Sequence, residues 1–230
     1  KNNKNLKGIG AIAVTVGPGL SIALGVGIDR SKKLAIKYKK KLIAVNHLEG
    51  HVLSPLARPN NSQLAINNLQ FPALGLVVSG GNTMLVKINK IGFYETLAQT
   101  TDDALGEALD KAARMLGLGY PGGAILEKLA RGGSSNAYKL PVPLLGQEKR
   151  KIFSYSGLKT SMSRLIESEK PLSKEKICNL SACFQDVAFQ HLIRVVSRQI
   201  RDSKSEIHDL FVGGGVSANI ELRKRLRKLG

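Results

Sequence analysis

Four short apolar runs constrain this chain more than anything else in it. AIAVTV (11–16), KLIAV (41–45), ALGLVV (73–78) and the LFV of DLFVGGG (209–215) read as strands, the first two as buried ones. Gly17-Pro18-Gly19 stops the first, with Pro18 set to begin a helix that runs to about residue 38. Asn46 caps the helix after the second, NHLEGHVLSPLA. ALGLVVSGGNTMLVKI (73–88) reads as two strands around Gly80-Gly81-Asn82, a hairpin whose glycines are free to take positive φ. GGGVSAN (213–219) leads from the last strand into a helix. Strands alternating with helices predict an α/β fold.

The rest of the chain fills in helices and turns. DDALGEALDKAARMLG (102–117) is an amphipathic helix ending at a glycine, and LGYPGG (118–123) turns into a short helix. LPVPLLG is extended, NNSQLAINN is a loop, and SGLKTSMSRLIES and KEKICNLSACFQDVAFQHLIRVVSRQIRDS are helices. No internal repeat or low-complexity linker interrupts them.

Hydrophobic residues make up 43% of 230 and are spread throughout, which excludes disorder. No apolar run approaches the roughly 20 residues that cross a bilayer. The opening KNNKNLKGIG has neither an initiator Met nor the apolar block of a signal peptide, so the gene is expected to begin upstream. Cys178 and Cys183 have the spacing of neither a zinc knuckle nor a redox pair and read as reduced, partly buried thiols of a cytoplasmic protein. Net charge is +18, from 35 Lys+Arg against 17 Asp+Glu, with clusters at 30–41, 148–151 and 222–228. Such an excess suits phosphate contact with nucleic acid, or simply a lysine-rich solvated surface.

Several stretches could carry chemistry. His47 and His51 share one helix face, as a metal site needs, or are two surface histidines. The zincin pattern needs Glu directly after the first His; Leu48 stands there and Glu49 follows, so a peptidase lacks its general base. SGGNT (79–83), YPGG (120–123) and GGGVSAN could present backbone N–H groups to a phosphate, although none is a P-loop or Gly-x-Gly-x-x-Gly. Asp103, Glu107 and Asp110 are expected on one helix face, either ion-paired in solvent or with Asp110 accepting from a ligand.

In order, VTVGPGL, NHLEGH, VVSGGNT, DDALGEALDKAARMLGLGYPGG, FSYSGLKT and GGGVSAN resemble the bacterial TsaD family from about residue 9 to 230. The resemblance implies an actin/Hsp70-like (ribonuclease-H-like) duplicated α/β fold, incomplete at both ends. Residues 1–72 would be the remainder of the first subdomain, and 73–230 the second, with a helical insertion. It implies tRNA N6-adenosine threonylcarbamoyl transfer: threonylcarbamoyl-AMP donates to the adenosine beside the tRNA anticodon. His47 and His51 would hold one divalent metal ion, Fe2+ or Zn2+. Val77, Val78, Ser79, Gly80 and Gly81 would form the phosphate and threonylcarbamoyl loop, and Asp110, Gly123 and Asn219 would hold the adenylate. Partners would be tRNA, TsaB and TsaE, in the cytoplasm, with no membrane.

Three departures accompany the resemblance. Asn82 stands where the family has His, keeping the turn but not the titration near neutrality. The family's opening strand pair should precede residue 1, and its third metal ligand, an Asp, should lie beyond Gly230. The chain alone is therefore expected to be inactive, either completed by something else or serving as a non-catalytic scaffold. A metallopeptidase and a sugar-kinase-like ATPase are the remaining alternatives.

Overall fold

The computed structural model describes residues 8–56, 70–203 and 207–229; the loop NNSQLAINN lies outside them. The chain divides into two compact units, Lys1–Ser54 and Pro55–Gly230. In the first, β1 (Ala11–Gly17) runs parallel to β2 (Lys41–Asn46), in register from Ala11 opposite Lys41 to Thr15 opposite Val45. Parallel neighbours need a crossover, and α1 (Ser21–Lys37) supplies it. Its first residue is Ser21, so Pro18 stops the strand instead of opening the helix.

Neither strand is buried as its apolar run predicts. Val16, Leu42 and Ile43 are 47%, 40% and 49% exposed. Among the described residues of this unit, two strands and the helix between them cover only the faces they turn toward each other. α2 (His47–Leu53) follows β2 without a loop because Asn46 ends the strand and caps the helix together. Its Oδ1 accepts from the N–H groups of Leu48 at 2.8 Å and Glu49 at 3.3 Å, a cap worth about 1 kcal/mol.

The second unit is built on a five-stranded sheet in the order β6-β5-β4-β3-β7. β3 (Ala73–Val78) and β4 (Thr83–Lys90) form the predicted antiparallel hairpin. All six residues of β3 are buried, which is why its sequence is continuously apolar and does not alternate. β7 (Leu210–Gly213) joins β3 in parallel. β5 (Phe93–Thr100) and the two-residue β6 (Ile152–Phe153) escaped the sequence reading. β5 is mostly exposed and rich in polar residues, and pairing with β4 holds it in the sheet rather than its own apolar content.

Helices α3 (Leu105–Met115), α4 (Gly123–Ala130), α5 (Ser156–Ser168), α6 (Lys174–Asp202) and α7 (Ile220–Leu226) complete this unit. One core joins Leu74, Leu76 and Leu85 of the sheet to Leu105 and Ala108 of α3, Leu158 and Met162 of α5, and Phe184 and Phe189 of α6. α3 begins at Leu105, not at Asp102, because the buried Thr83 accepts the Leu105 N–H through Oγ1 at 2.8 Å. Both cysteines are free thiols, Cys183 buried and Cys178 partly so.

Candidate functional site

The loop between β3 and β4 is closed by its own ends. Ser79 N–H donates to the Asn82 carbonyl at 2.8 Å, and Asn82 N–H donates to Ser79 Oγ at 3.0 Å. The turn thus uses the Asn82 backbone, not its side chain. Gly80 and Gly81 do not take the positive φ expected of them. They leave the loop bare: a Cβ on either would meet nothing within 4 Å. The glycine this loop demands is Gly106, on α3, whose N–H donates to the Ser79 carbonyl at 3.2 Å. A Cβ there would stand 2.5 Å from that oxygen.

From the same helix, Asp110 reaches the start of α4. Its Oδ1 accepts the N–H groups of Gly122 at 3.0 Å and Gly123 at 2.8 Å. A carboxylate at a helix N-terminus satisfies orphan donors and complements the dipole there. Oδ2 accepts from none of the described residues and keeps capacity for a ligand hydroxyl or amine.

The third wall is the β7–α7 loop. Gly214 takes φ +94°, and a Cβ on it would stand 2.4 Å from the Val78 carbonyl, so this loop lies backbone to backbone on the end of β3. Asn219, 6% exposed, caps α7: its Oδ1 accepts Leu222 N–H at 3.0 Å. Its Nδ2 donates to Gln185 Oε1 at 2.9 Å. Each end of the amide therefore makes one hydrogen bond within the protein, and Nδ2 keeps a second donor hydrogen. Glu127 Oε1 accepts Ile220 N–H at 3.0 Å and ties α4 to α7.

These elements enclose a cleft of about 250 Å³. Gly80, Asp110, Gly123 and Asn219, far apart in sequence, all line it. Val77 and Val78 lie behind it, fully buried in β3; Ser79 and Gly81 belong to the hairpin loop but not to the lining. Gly215, within the GGGVSAN loop, also lines the cleft, as do Gly106 and Glu127, which sequence reasoning missed. A glycine inside a helical pattern was the available signal for Gly106; Glu127 carried none.

The acidic face expected on α3 is arranged differently. Asp102 and Asp103 precede the helix. Asp103 Oδ1 accepts from Lys111 Nζ at 2.6 Å and its Oδ2 from Lys159 Nζ at 2.7 Å. Burial alone would raise the Asp103 carboxyl, but the two ammoniums outweigh it and hold it below the usual carboxylate range. Lys111 also pairs with Glu107 at 2.7 Å; hydrogen bonds to Asp103 and Glu107 push its ammonium up. Asp102 Oδ1 accepts Tyr155 N–H at 2.8 Å and Oδ2 accepts Ser154 Oγ–H at 2.5 Å. The DDAL and FSYSGLKT motifs thus form one polar cluster.

In the first unit, His47 and His51 present their Nε2 atoms to each other at 3.2 Å, with ring centroids 4.6 Å apart. Two imidazole nitrogens on one tetrahedral Zn2+, each at about 2.0–2.1 Å, stand about 3.3 Å apart, so the pair fits a shared metal ion. Desolvation, then His47, lowers the His51 pKa, favouring the neutral form that binds metals. Among the described residues no third His, Cys, Asp or Glu completes a group of three.

A family model described as TsaD, tRNA N6-adenosine threonylcarbamoyltransferase, matches residues 1–230. The chain is 42% identical to the tRNA N6-adenosine threonylcarbamoyltransferase of Rhizobium johnstonii, over 99% of this chain and 61% of that protein. It is 44% identical to the Brucella anthropi protein of the same name, over 97% and 61%. For the Fervidobacterium nodosum protein so named, the figures are 40% identity over 100% and 66%. The chain therefore spans roughly three fifths of the length of the curated relatives it matches.

Proposed function

The chain belongs to the TsaD family of tRNA N6-adenosine threonylcarbamoyltransferases, and from that premise we propose that the protein transfers threonylcarbamoyl from threonylcarbamoyl-AMP to N6 of the adenosine beside the tRNA anticodon. The observation that carries this reading is the convergence of Gly80, Asp110, Gly123 and Asn219 on one cleft. In the reaction, N6 attacks the carbamoyl carbon, the bond from that carbon to the phosphate oxygen breaks, AMP leaves with the electron pair, and N6 gives up a proton. The bare backbone at Gly80 lets a phosphate approach its N–H groups, which stabilise the charge gathering on the leaving AMP. Asp110 Oδ2 accepts from the adenylate, while Oδ1 keeps the start of α4 in place. Asn219 acts by position: capping α7 and bonding Gln185, it fixes the wall against which the adenylate lies.

His47 and His51 would hold one divalent ion, Fe2+ or Zn2+, which when bound supplies Lewis-acid polarisation of an acyl oxygen. TsaB and TsaE are the protein partners of this reading, and the cytoplasm its compartment; no helix among the described residues is long and apolar enough to cross a membrane. A second reading, binding without turnover, is favoured by the histidine pair, which among the described residues has no third His, Cys, Asp or Glu beside it.

The deciding experiment supplies unmodified tRNA, threonylcarbamoyl-AMP and iron or zinc. Adenylate-dependent incorporation into tRNA is the expected result. Binding of adenylate and tRNA without incorporation selects the scaffold, and binding of neither overturns both readings.

A further inference from the structure

Helix α7 starts at the cleft and carries a dense run of positive charge away from it. Leu222 and Leu226, one turn apart, face inward and are buried. The opposite side presents Arg223 with Arg227, and Lys224 with Lys228, all exposed. Arg227 and Lys228 lie in the turn that directly follows α7, Arg227 still in helical conformation, so the four form two adjoining rows of cations. Arg223 stands one turn beyond Asn219, donating its N–H to the Asn219 carbonyl at 3.1 Å.

Two acids in or beside this helix are spent on Arg225 and not on that face. Asp186 accepts from Arg225 at 2.5 Å, and Glu221 accepts from the same guanidinium at 2.8 Å. Arg225 thus takes both, and its ring contact with Phe189 holds it against the body of the unit. Among the described residues Arg223, Lys224, Arg227 and Lys228 form no ion pair. A solvated helix of a soluble protein needs no such segregation. Here Arg225 takes Asp186 and Glu221, and four cations are left outward.

The surface also connects the run to the cleft. Ala218 lines both the cleft and a second groove of about 700 Å³ along β7. Arg223 and Arg227 contribute to the wall of that groove, and Asp209 is the only acid in its described lining. Two exposed arginines therefore line a groove that meets the cleft at Ala218.

We propose that this face of α7 is a phosphate-contact surface for RNA, holding the sugar-phosphate backbone of the substrate whose adenosine meets the adenylate donor at the cleft mouth. The assignment rests on the RNA-directed reading of the cleft given above. No aromatic side chain lies in α7, so the contact positions the strand by charge rather than by stacking its bases.

The test measures tRNA binding to the full chain across a salt series, alongside titration with AMP. The variants are Arg223→Ala with Arg227→Ala, and Arg223→Lys with Arg227→Lys. Both side chains are exposed, and melting curves check that each variant folds. The alanine pair should weaken tRNA binding about tenfold or more at moderate salt and flatten the log-log salt slope by about one to two, since each lost phosphate contact removes about 0.7–0.9. AMP affinity should be unchanged, and the lysine pair should restore most of the slope. Equal tRNA affinity and slope in the unaltered chain and the alanine pair would overturn the assignment while leaving the cleft reading intact. Absence of tRNA binding by the unaltered chain even at low salt, with AMP still bound, would remove the RNA-directed reading itself.

Discussion

Asn219 and Gln185 share a buried hydrogen bond, Nδ2 to Oε1 at 2.9 Å, that locks a cleft-lining loop to the long helix α6. The same asparagine caps α7. Asn219→Ala should remove the cap and leave the Gln185 oxygen, 6% exposed, without its donor. The expected cost is about 2–3 kcal/mol, from the cap and the orphaned acceptor together. Gln185→Leu keeps the cap and should cost less. Denaturant unfolding of the two variants checks the order; equal losses would mean that the cap contributes nothing.

Gly106→Ala tests the close approach of α3 to the hairpin loop. Helix propensity alone favours alanine by about 1 kcal/mol. The new Cβ would stand 2.5 Å from the Ser79 carbonyl and 2.9 Å from Gly80 Cα, both backbone atoms that cannot swing aside. We expect net destabilisation of about 2 kcal/mol and weaker adenylate binding as the loop is pushed out. Gly81→Ala, where a Cβ meets nothing within 4 Å, should melt close to the unaltered chain. A Gly106→Ala variant that is more stable than the parent would show that the loop yields freely.

His191 makes part of the stability depend on pH. It is 2% exposed, packed edge-on against Phe153 and Tyr155, and its Nε2 accepts Ser154 N–H at 3.2 Å. Burial pulls its pKa down to about 4, against the Pro143 carbonyl, Asp102 and Glu148, which favour the charged form, while Arg194 adds to the lowering. The unfolded chain binds this proton near pH 6.5 and the folded one does not until about 4. Its contribution is therefore complete above pH 6.5 and is lost as pH falls toward 4, about 2 kcal/mol of it by pH 5. Urea unfolding at pH 7.5 and 5 should show that extra loss in the parent but not in His191→Gln, which still accepts the Ser154 N–H and does not titrate. Identical pH slopes would show that the His191 proton does not distinguish the folded from the unfolded chain in this range.

Metal binding should require both histidines of the first unit. The Nε2 atoms are 3.2 Å apart, near the bite of a shared tetrahedral ion. His47→Ala or His51→Ala should each reduce zinc affinity at least tenfold, read by competition with a chromogenic chelator. Asn46→Ala, which removes the cap of α2 and touches no ligand, should lower affinity less, through helix fraying. Unchanged affinity in either histidine variant would show that the pair is a surface contact between rings.

Local patterns settled much of this protein. The β-branched runs, the asparagine caps at 46 and 219 and the glycine stops determine where most strands and helices lie, because each acts within a few residues of itself. The i, i+4 spacing of His47 and His51 determines that their rings meet, since a helix permits little else. The same reasoning failed where a partner distant in sequence decides the outcome. Thr83 sets the start of α3 and so removes Asp103 from the face it was expected to share with Asp110. β4 makes a strand of the polar run 93–100, and β5 makes one of Ile152–Phe153. The bareness of Gly80 and Gly81 could be read as turn chemistry, yet the glycines that permit the cleft are Gly106 and Gly214, each pressed against the backbone at the end of β3. A carboxylate such as Asp110 carries no mark of which N–H groups it will meet. Only folding brings Gly122 and Gly123 to it, because the hydrogen bond depends on how α3 and α4 pack and not on the residues between them.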